Sequence, residues 1–301
     1  MEFYKEFTAL DTSNLQEGLD QLKTKYSDFL DFYIDTLSGL NIHGNYVEHL
    51  DDIRQFLVFK DFRQLFDTIN IVFPETQKIN KSLDNLFQHI KYQNNEFYIP
   101  EKIYYFASAL NGFVAPIQNE KNMGVGLDMF LGKDFWAYRS IGIPDYALTK
   151  FSAEQIPVWV AKAIYEDKYP FNFTDLNLLE IMIAQGKEMY FLTNVLPSFP
   201  LHQIFGYTKE QLTWAEQNEA LIYNTFIQNE LLYNKEQQKI MRFVNDGPNT
   251  PGFDMESPGN IGTFIGYKII LSYAKRTKLS LVEVLNTSNA QEILKKANYK
   301  P

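Results

Sequence analysis

Leu15, Leu19, Leu22, Tyr26 and Phe29 recur at steps of four, three, four and three, which lines them along one helix face. Ser13, three residues before Gln16, predicts a capping box at the start of that helix. Further apolar sets at helical spacing follow: Leu50, Ile53 and Leu57; then Leu65, Phe66 and Ile69 behind a cap at Asp61; then Ile79, Leu83, Leu86, Phe87 and Ile90. Residues 1–93 are predicted as an N-terminal helical part.

The pattern changes at residue 94. Residues 97–99 and 102–110 are rich in Tyr, Phe and Ile with little helical period, and Asn111-Gly112 reads as a tight turn into a second strand over 113–117. A polar turn over 119–122 leads to a third strand over 123–130, so a small, largely antiparallel sheet is expected, followed by a loop from Gly132 to Pro144. Helical spacing then resumes. Ser152 and Gln155 predict a capping box, Ile156, Trp159, Val160 and Ala163 an inner face, and Pro170 a stop. Leu176, Leu179, Ile183, Tyr190 and Phe191 mark the next helix. Thr208 with Gln211 opens a long one through Leu232. Residues 245–259 form a Gly/Pro loop, 261–275 a helix, and the pairs Ser280/Glu283 and Ser288/Gln291 open two short final helices. Gly259, Gly262 and Gly266 fall at steps of three and four, which predicts close packing against another element. The fold class is α+β and mainly helical, with residues 94–301 as the sheet-bearing helical part, forming one compact unit with residues 1–93.

Composition narrows the function classes. Lys plus Arg is 28 against 37 Asp plus Glu, a net charge of −9, which lacks the basic stripe that nucleic acid or an anionic membrane surface requires. No cysteine is present, so disulfides, thiolate metal sites and cysteine nucleophiles are excluded. With 25 Phe and 19 Tyr, a bulky core and aromatic-lined clefts are expected.

Candidate chemistry is sparse. His43, His49, His89 and His202 include no pair at three- to five-residue spacing, so no helical metal pair exists among them. There is no Gly-x-Ser-x-Gly elbow, and Met123-Gly124-Val125-Gly126 lacks the third glycine of a dinucleotide fingerprint; a close backbone approach in a strand explains it. No metal and no cofactor is expected. Asp246, Gly247, Pro248, Glu256 and Gly259 share one irregular loop. Asp246 and Glu256 are expected to accept hydrogen bonds from backbone N–H groups, and the loop's other reading is an interface with a partner.

Several short motifs, in order, resemble a known family. Phe130-Leu131-Gly132-Lys133-Asp134 is followed by Gly142-Ile143-Pro144-Asp145-Tyr146, then by Gly206-Tyr207-Thr208 before Trp214 and Glu216-Gln217-Asn218-Glu219. Phe243-Val244-Asn245-Asp246-Gly247-Pro248, Glu256-Ser257-Pro258-Gly259-Asn260-Ile261-Gly262 and Ile265-Gly266-Tyr267 complete the set. Together they resemble the gliding-motility lipoprotein GldB family of Bacteroidetes over nearly the whole chain. The resemblance implies a signal peptide ending in a lipidated cysteine. Neither is in this sequence, so the expectation is that the chain starts just past that cysteine, with Met1 as an introduced start.

The family is also distantly similar to zincin-like metalloproteases, which implies a zincin-like fold. That likeness places Ala163 and Asp167 at the histidine positions of His-Glu-x-x-His, Ile164 at the catalytic glutamate and Gln185 at the third ligand. Zinc catalysis needs three good ligands and a base, and Ala163 and Ile164 supply neither. A vacant cleft is therefore expected, lined by Ala163, Ile164, Tyr165, Glu166, Asp167, Gln185, Glu188 and Tyr267. The function this implies is that of a non-catalytic, membrane-anchored envelope lipoprotein facing the periplasm. It would support gliding or the associated secretion machinery through contacts with envelope proteins, touching the membrane only through its lipid and binding no nucleic acid. The alternative is an envelope hydrolase, or a module binding a peptide or glycan in the vacant cleft.

Overall fold

The computed structural model describes residues 1–40, 42–93, 96–117 and 121–301. The chain is mainly helical with a small three-stranded sheet, and it divides into two compact units interleaved in sequence. The first comprises Met1–Leu83, Tyr98–Gly142 and Phe151–Ala163; the second comprises Asp84–Phe97, Ile143–Lys150 and Ile164–Pro301.

The first unit holds α1 (Phe3–Thr8), α2 (Leu15–Tyr26), α3 (Asp28–Phe32), α4 (Leu50–Val58), α5 (Lys60–Val72) and the start of α6 (Gln77–Gln93). Its strands are β1 (Lys102–Phe106), β2 (Val114–Ile117) and β3 (Asn122–Gly126). They are followed by α7 (Trp136–Ser140), which forms inside the expected loop, and by the first turns of α8 (Ile156–Lys168). The predicted apolar faces are the buried ones: Leu15, Leu19, Leu22, Tyr26 and Phe29 all lie in the core. Phe3 packs edge-on to Tyr26, Phe29 and Tyr33, and Phe29 stacks on Tyr104 of β1 at 4.1 Å. Buried tyrosine hydroxyls need partners, and Tyr4 donates to the Phe73 carbonyl at 2.6 Å, Tyr33 to that of Ala107 at 2.9 Å.

The sheet corrects the largely antiparallel expectation. The order is β1-β3-β2, with β1 parallel and β2 antiparallel to β3, so the sheet is mixed. Asn111-Gly112 does not close a hairpin, because β1 and β2 are not neighbours. The predicted turn over 119–122 lies, apart from Lys121 and Asn122, outside the described residues. The third strand stops at Gly126, and Leu127–Phe130 is a 3₁₀ turn. Glycines at 124 and 126 do serve close approach: a methyl at Gly124 would sit 2.8 Å from the Phe106 ring, and one at Gly126 would overlap the Gly112 carbonyl. Behind this sits Asp128, fully buried. Its carboxylate accepts from Ser108 N at 2.8 Å, Ser108 Oγ at 3.0 Å and Leu110 N at 2.6 Å. Burial raises its pKa, against the pull of those bonds. It thereby pins a segment in which Ala109 and Leu110 both have positive φ.

The second unit contains the remainder of α6 and α8, then α9 (Leu178–Val195), α10 (Leu201–Phe205), α11 (Lys209–Gln217), α12 (Glu219–Gln228), α13 (Gln237–Ile240), α14 (Ile261–Thr277), α15 (Leu281–Asn286) and α16 (Ala290–Ala297). Its centre is the crossing of α9 on α14. A methyl at Gly266 would overlap the Met182 carbonyl, and one at Gly186 would overlap the backbone of Gly266. The two helices therefore touch backbone to backbone. The capping boxes at Thr208/Gln211 and Ser280/Glu283 form as predicted. Three others differ. Asp11 takes the Ser13 N–H in a turn before α2, Ser152 makes no side-chain cap, and the last helix is capped by Asn289, one residue after Ser288. The predicted helix from Thr208 through Leu232 is broken at Asn218, whose side-chain amide donates to the Trp214 carbonyl at 2.9 Å. No helix among the described residues is long and apolar enough to cross a membrane.

Candidate functional site

The second unit contains a cavity of about 630 Å³. Pockets that hold small ligands run roughly 300–1,000 Å³, so this one is of ligand size. Three stretches of chain frame it. The end of α8 brings Tyr165, Glu166 and Tyr169. The segment after Pro170 brings Phe171, Phe173 and Leu176, and one face of α9 brings Glu180, Ile183, Ala184, Gln185, Lys187 and Glu188. Leu285, Ser288 and Ala290 close it.

Local sequence explains each wall. Asn177 and Glu180 form a reciprocal capping box that starts α9, with Glu180 accepting from Asn177 N at 2.8 Å. Glu180, Ile183, Ala184, Lys187 and Glu188 then recur at steps of three and four, so they share a face. Gly186 lies on the other side, where α14 needs it. Pro170 closes α8, and Asn172 Oδ1 accepts from Thr174 N and Oγ1 at 2.9 and 2.7 Å, a local turn that sets Phe171 and Phe173 edge to face at 4.8 Å. Both rings stay on the surface, 42% and 36% exposed.

Among the described residues lining the cavity, the buried cation is Lys187. Its ammonium donates to the Leu285 carbonyl at 3.0 Å and to that of Thr287, capping the end of α15. Burial lowers its pKa to about 8. Tyr165 is pushed the other way: burial first, then the charge of Glu188, holds its hydroxyl protonated well above the ordinary tyrosine range. Tyr169 donates to Asn286 Oδ1 at 2.9 Å.

Of the residues proposed for the cleft, Tyr165, Glu166, Gln185 and Glu188 line this cavity, whereas Ala163, Ile164, Asp167 and Tyr267 do not. Ile164 is fully buried, Asp167 is exposed, and Tyr267 is buried in α14 against Phe205. Gln185 is a brace: its amide donates to the Val244 carbonyl at 3.3 Å, and its oxygen accepts from Thr263 Oγ1 at 2.6 Å. Lys187, Glu180, Tyr169, Phe171 and Phe173 were missed. A lysine among apolar residues and a Phe-x-Phe pair after a proline were the signals available.

The loop residues assemble elsewhere in the same unit. Asp246 Oδ1 accepts from Asn260 Nδ2 at 2.7 Å, Lys150 reaches Oδ2, and Tyr207 donates to Asn260 Oδ1 at 2.6 Å. These bonds come from side chains, where backbone donors were expected. Glu256 is exposed, with no hydrogen bond found among the described residues. Gly259 packs on the backbone of Gly247, and Pro248 O accepts from Gln211 at 3.1 Å. Two of the short motifs gain a physical cause here. Gly206 ends α10 at φ 71° ahead of the Thr208 cap, and Asn260 holds a left-handed conformation at the mouth of α14.

No group of three or more His, Asp or Glu side chains placed to hold a metal occurs among the described residues. Searches among curated proteins and among solved structures find no match. The family model described as gliding motility protein GldB matches residues 1–301, and the chain belongs to that family.

Proposed function

We propose that this chain is a non-catalytic, lipid-anchored protein of the periplasmic face of the envelope. On this reading it supports gliding motility, or the secretion machinery associated with it, through contacts with other envelope proteins. The observation that carries the reading is the family match across the full length, which leaves no part of the chain to a different module. The chemistry of the zincin-like positions agrees with it. Ala163 and Ile164 offer neither a ligand nor a base, and both ends of the Gln185 amide are engaged in bracing. The zincin-like frame itself belongs to this proposal and rests on the distant likeness alone.

The test is cross-linking in the native envelope, followed by affinity capture of the tagged protein. Reproducible enrichment of motility or secretion components over an unrelated periplasmic lipoprotein is expected. Capture of none of them, with a strain lacking the protein still gliding normally, sinks the reading.

A further inference from the structure

We propose that the Lys187 amine is a covalent modification site: it adds to small neutral aldehydes that enter the cavity of the second unit, ahead of the chain's exposed lysines, and forms an imine. The inference goes beyond the protein-contact reading and stands apart from it.

Lys187 is buried, yet it lines the cavity. Its nitrogen has different surroundings from those of other partly buried lysines. Lys150 pairs with Asp246, Lys168 with Glu96 and Lys268 with Glu219, so each keeps a carboxylate that favours the charged form. Lys187 donates to two backbone carbonyls, of Leu285 at 3.0 Å and of Thr287, and has no ion pair among the described residues. Glu166, Glu180 and Glu188 line the same cavity, and Tyr165 and Tyr169 stand there as neutral phenols. None of these offsets the desolvation of the amine, which burial alone brings down to about 8.

The two carbonyls also fix what the amine does once neutral. A neutral amine keeps two N–H bonds and one lone pair. Leu285 and Thr287 accept both N–H bonds, and a carbonyl oxygen has no proton to give to the lone pair. Deprotonation therefore leaves the cap in place and frees the fourth corner of the nitrogen. A desolvated lysine in an apolar site is the kind that forms Schiff bases. The lone pair attacks the aldehyde carbon, a C–N bond forms, and the carbonyl π pair goes to oxygen. A proton passes from nitrogen to that oxygen through solvent, and loss of water leaves the imine. No oxidant or reductant takes part. Neutral aldehydes suit the site best, because a charged carbonyl compound would have to shed its hydration to reach a buried amine.

The test treats the purified chain with limiting propionaldehyde and cyanoborohydride from pH 7 to 10. The reductant traps each imine as a secondary amine, and digestion with mass spectrometry gives a rate for each lysine. At pH 8 about half of the Lys187 amines are neutral, against about 0.4% for an ordinary exposed lysine. Lower basicity and restricted access take back part of this, so Lys187 should react about tenfold faster than the median exposed lysine. Its rate should level off above pH 8, while the exposed lysines continue to rise to pH 10. Ala184→Asp puts a carboxylate three residues before Lys187 on the cavity-lining face of α9. It should slow Lys187 about tenfold and leave Lys133 and Lys278 unchanged. Retained melting temperature and near-UV circular dichroism confirm the fold of the variant; if it does not fold, the rates and pH profile of the unmodified chain decide. Reaction of Lys187 no faster than the exposed lysines at pH 8 overturns the proposal. So does a rate that climbs with theirs to pH 10, or one that a folded Ala184→Asp leaves untouched. None of these outcomes bears on the envelope cross-linking, which tests the broader reading separately.

Discussion

Lys187 carries a charge into the wall of the cavity, and its effect on stability has a definite sign. Its pKa is lowered from 10.5 to about 8 by burial. Below pH 8 the ammonium is present in both folded and unfolded chains, and its desolvation weighs fully against folding. Between pH 8 and 10.5 the unfolded chain binds more protons than the folded one, so stability rises with pH across this window. Near the upper end the tyrosines of the unfolded chain ionise while burial keeps their folded counterparts protonated, which acts in the opposite direction, so the comparison must be a difference. Lys187→Met should remove the rise: the gap in unfolding free energy between wild type and variant should shift in favour of wild type from pH 8 to 10. Denaturant titrations at these pH values measure it. A gap that is flat with pH would show that the Leu285 and Thr287 carbonyls hold the ammonium at its ordinary pKa. Residues of this kind were poorly legible in the sequence. Lys187 and Asp128 stand among apolar residues there, and only the folded chain shows that one caps a helix end and the other pins a turn.

At the scale of elements, the same substitution should have opposite effects at two glycines. Gly266 lies where α14 meets α9 backbone to backbone, and an added methyl would overlap the Met182 carbonyl, which cannot move without moving the helix. Gly266→Ala should cost about 3 kcal/mol. Gly18 lies in α2, and its added methyl would meet only the tip of Leu10, 2.6 Å away on a flexible side chain. Gly18→Ala should be neutral or stabilise by up to about 1 kcal/mol, through helix propensity. Thermal or denaturant melts of both variants check this, and equal losses would contradict the backbone-contact account. The spacing of Gly262 and Gly266 made the close face of α14 readable, but its partner was not, since Gly186 stands alone in α9. Segment type was legible wherever apolar spacing was long, as in α2, α9 and α14. Pairing was not: strand sequences carry no direction, and β3 became the central strand because its glycines admit Phe106 on one side and Gly112 on the other. Caps were legible only where no nearer side chain competed, and Asp11 competed successfully before α2. Four of the candidate cleft residues share a cavity because Tyr165/Glu166 and Gln185/Glu188 sit on α8 and α9. Ile164 is fully buried and takes no part in the cavity wall.

At the scale of the whole molecule, charge and surface bear on how the chain reaches a membrane. Its net charge is −9, and no helix among the described residues is long and apolar enough to cross a membrane. Attraction of basic residues to anionic lipid, worth about 1 kcal/mol for each Lys or Arg near the surface, works against an acidic protein. Exposed apolar side chains occur as pairs or singly, as at Val58 and Phe59, Ile71 and Val72, Phe171 and Phe173, and Met255. They do not make the continuous amphipathic stripe that lies in a bilayer interface. Acyl chains contribute about 0.8 kcal/mol for each buried methylene, and two chains anchor stably where one does not. The lipid-anchored reading therefore assigns membrane attachment to the acyl group and none of it to this chain's surface. Without acylation, the chain should stay in the supernatant when sedimented with phosphatidylethanolamine/phosphatidylglycerol vesicles at near-physiological salt. In cells, the native protein should incorporate labelled palmitate and pellet with membranes, and it should move to the soluble fraction when its lipidated residue is substituted. Sedimentation of the unacylated chain with the vesicles would place a membrane-binding face on the protein itself, and the assignment of anchoring to lipid alone would fail.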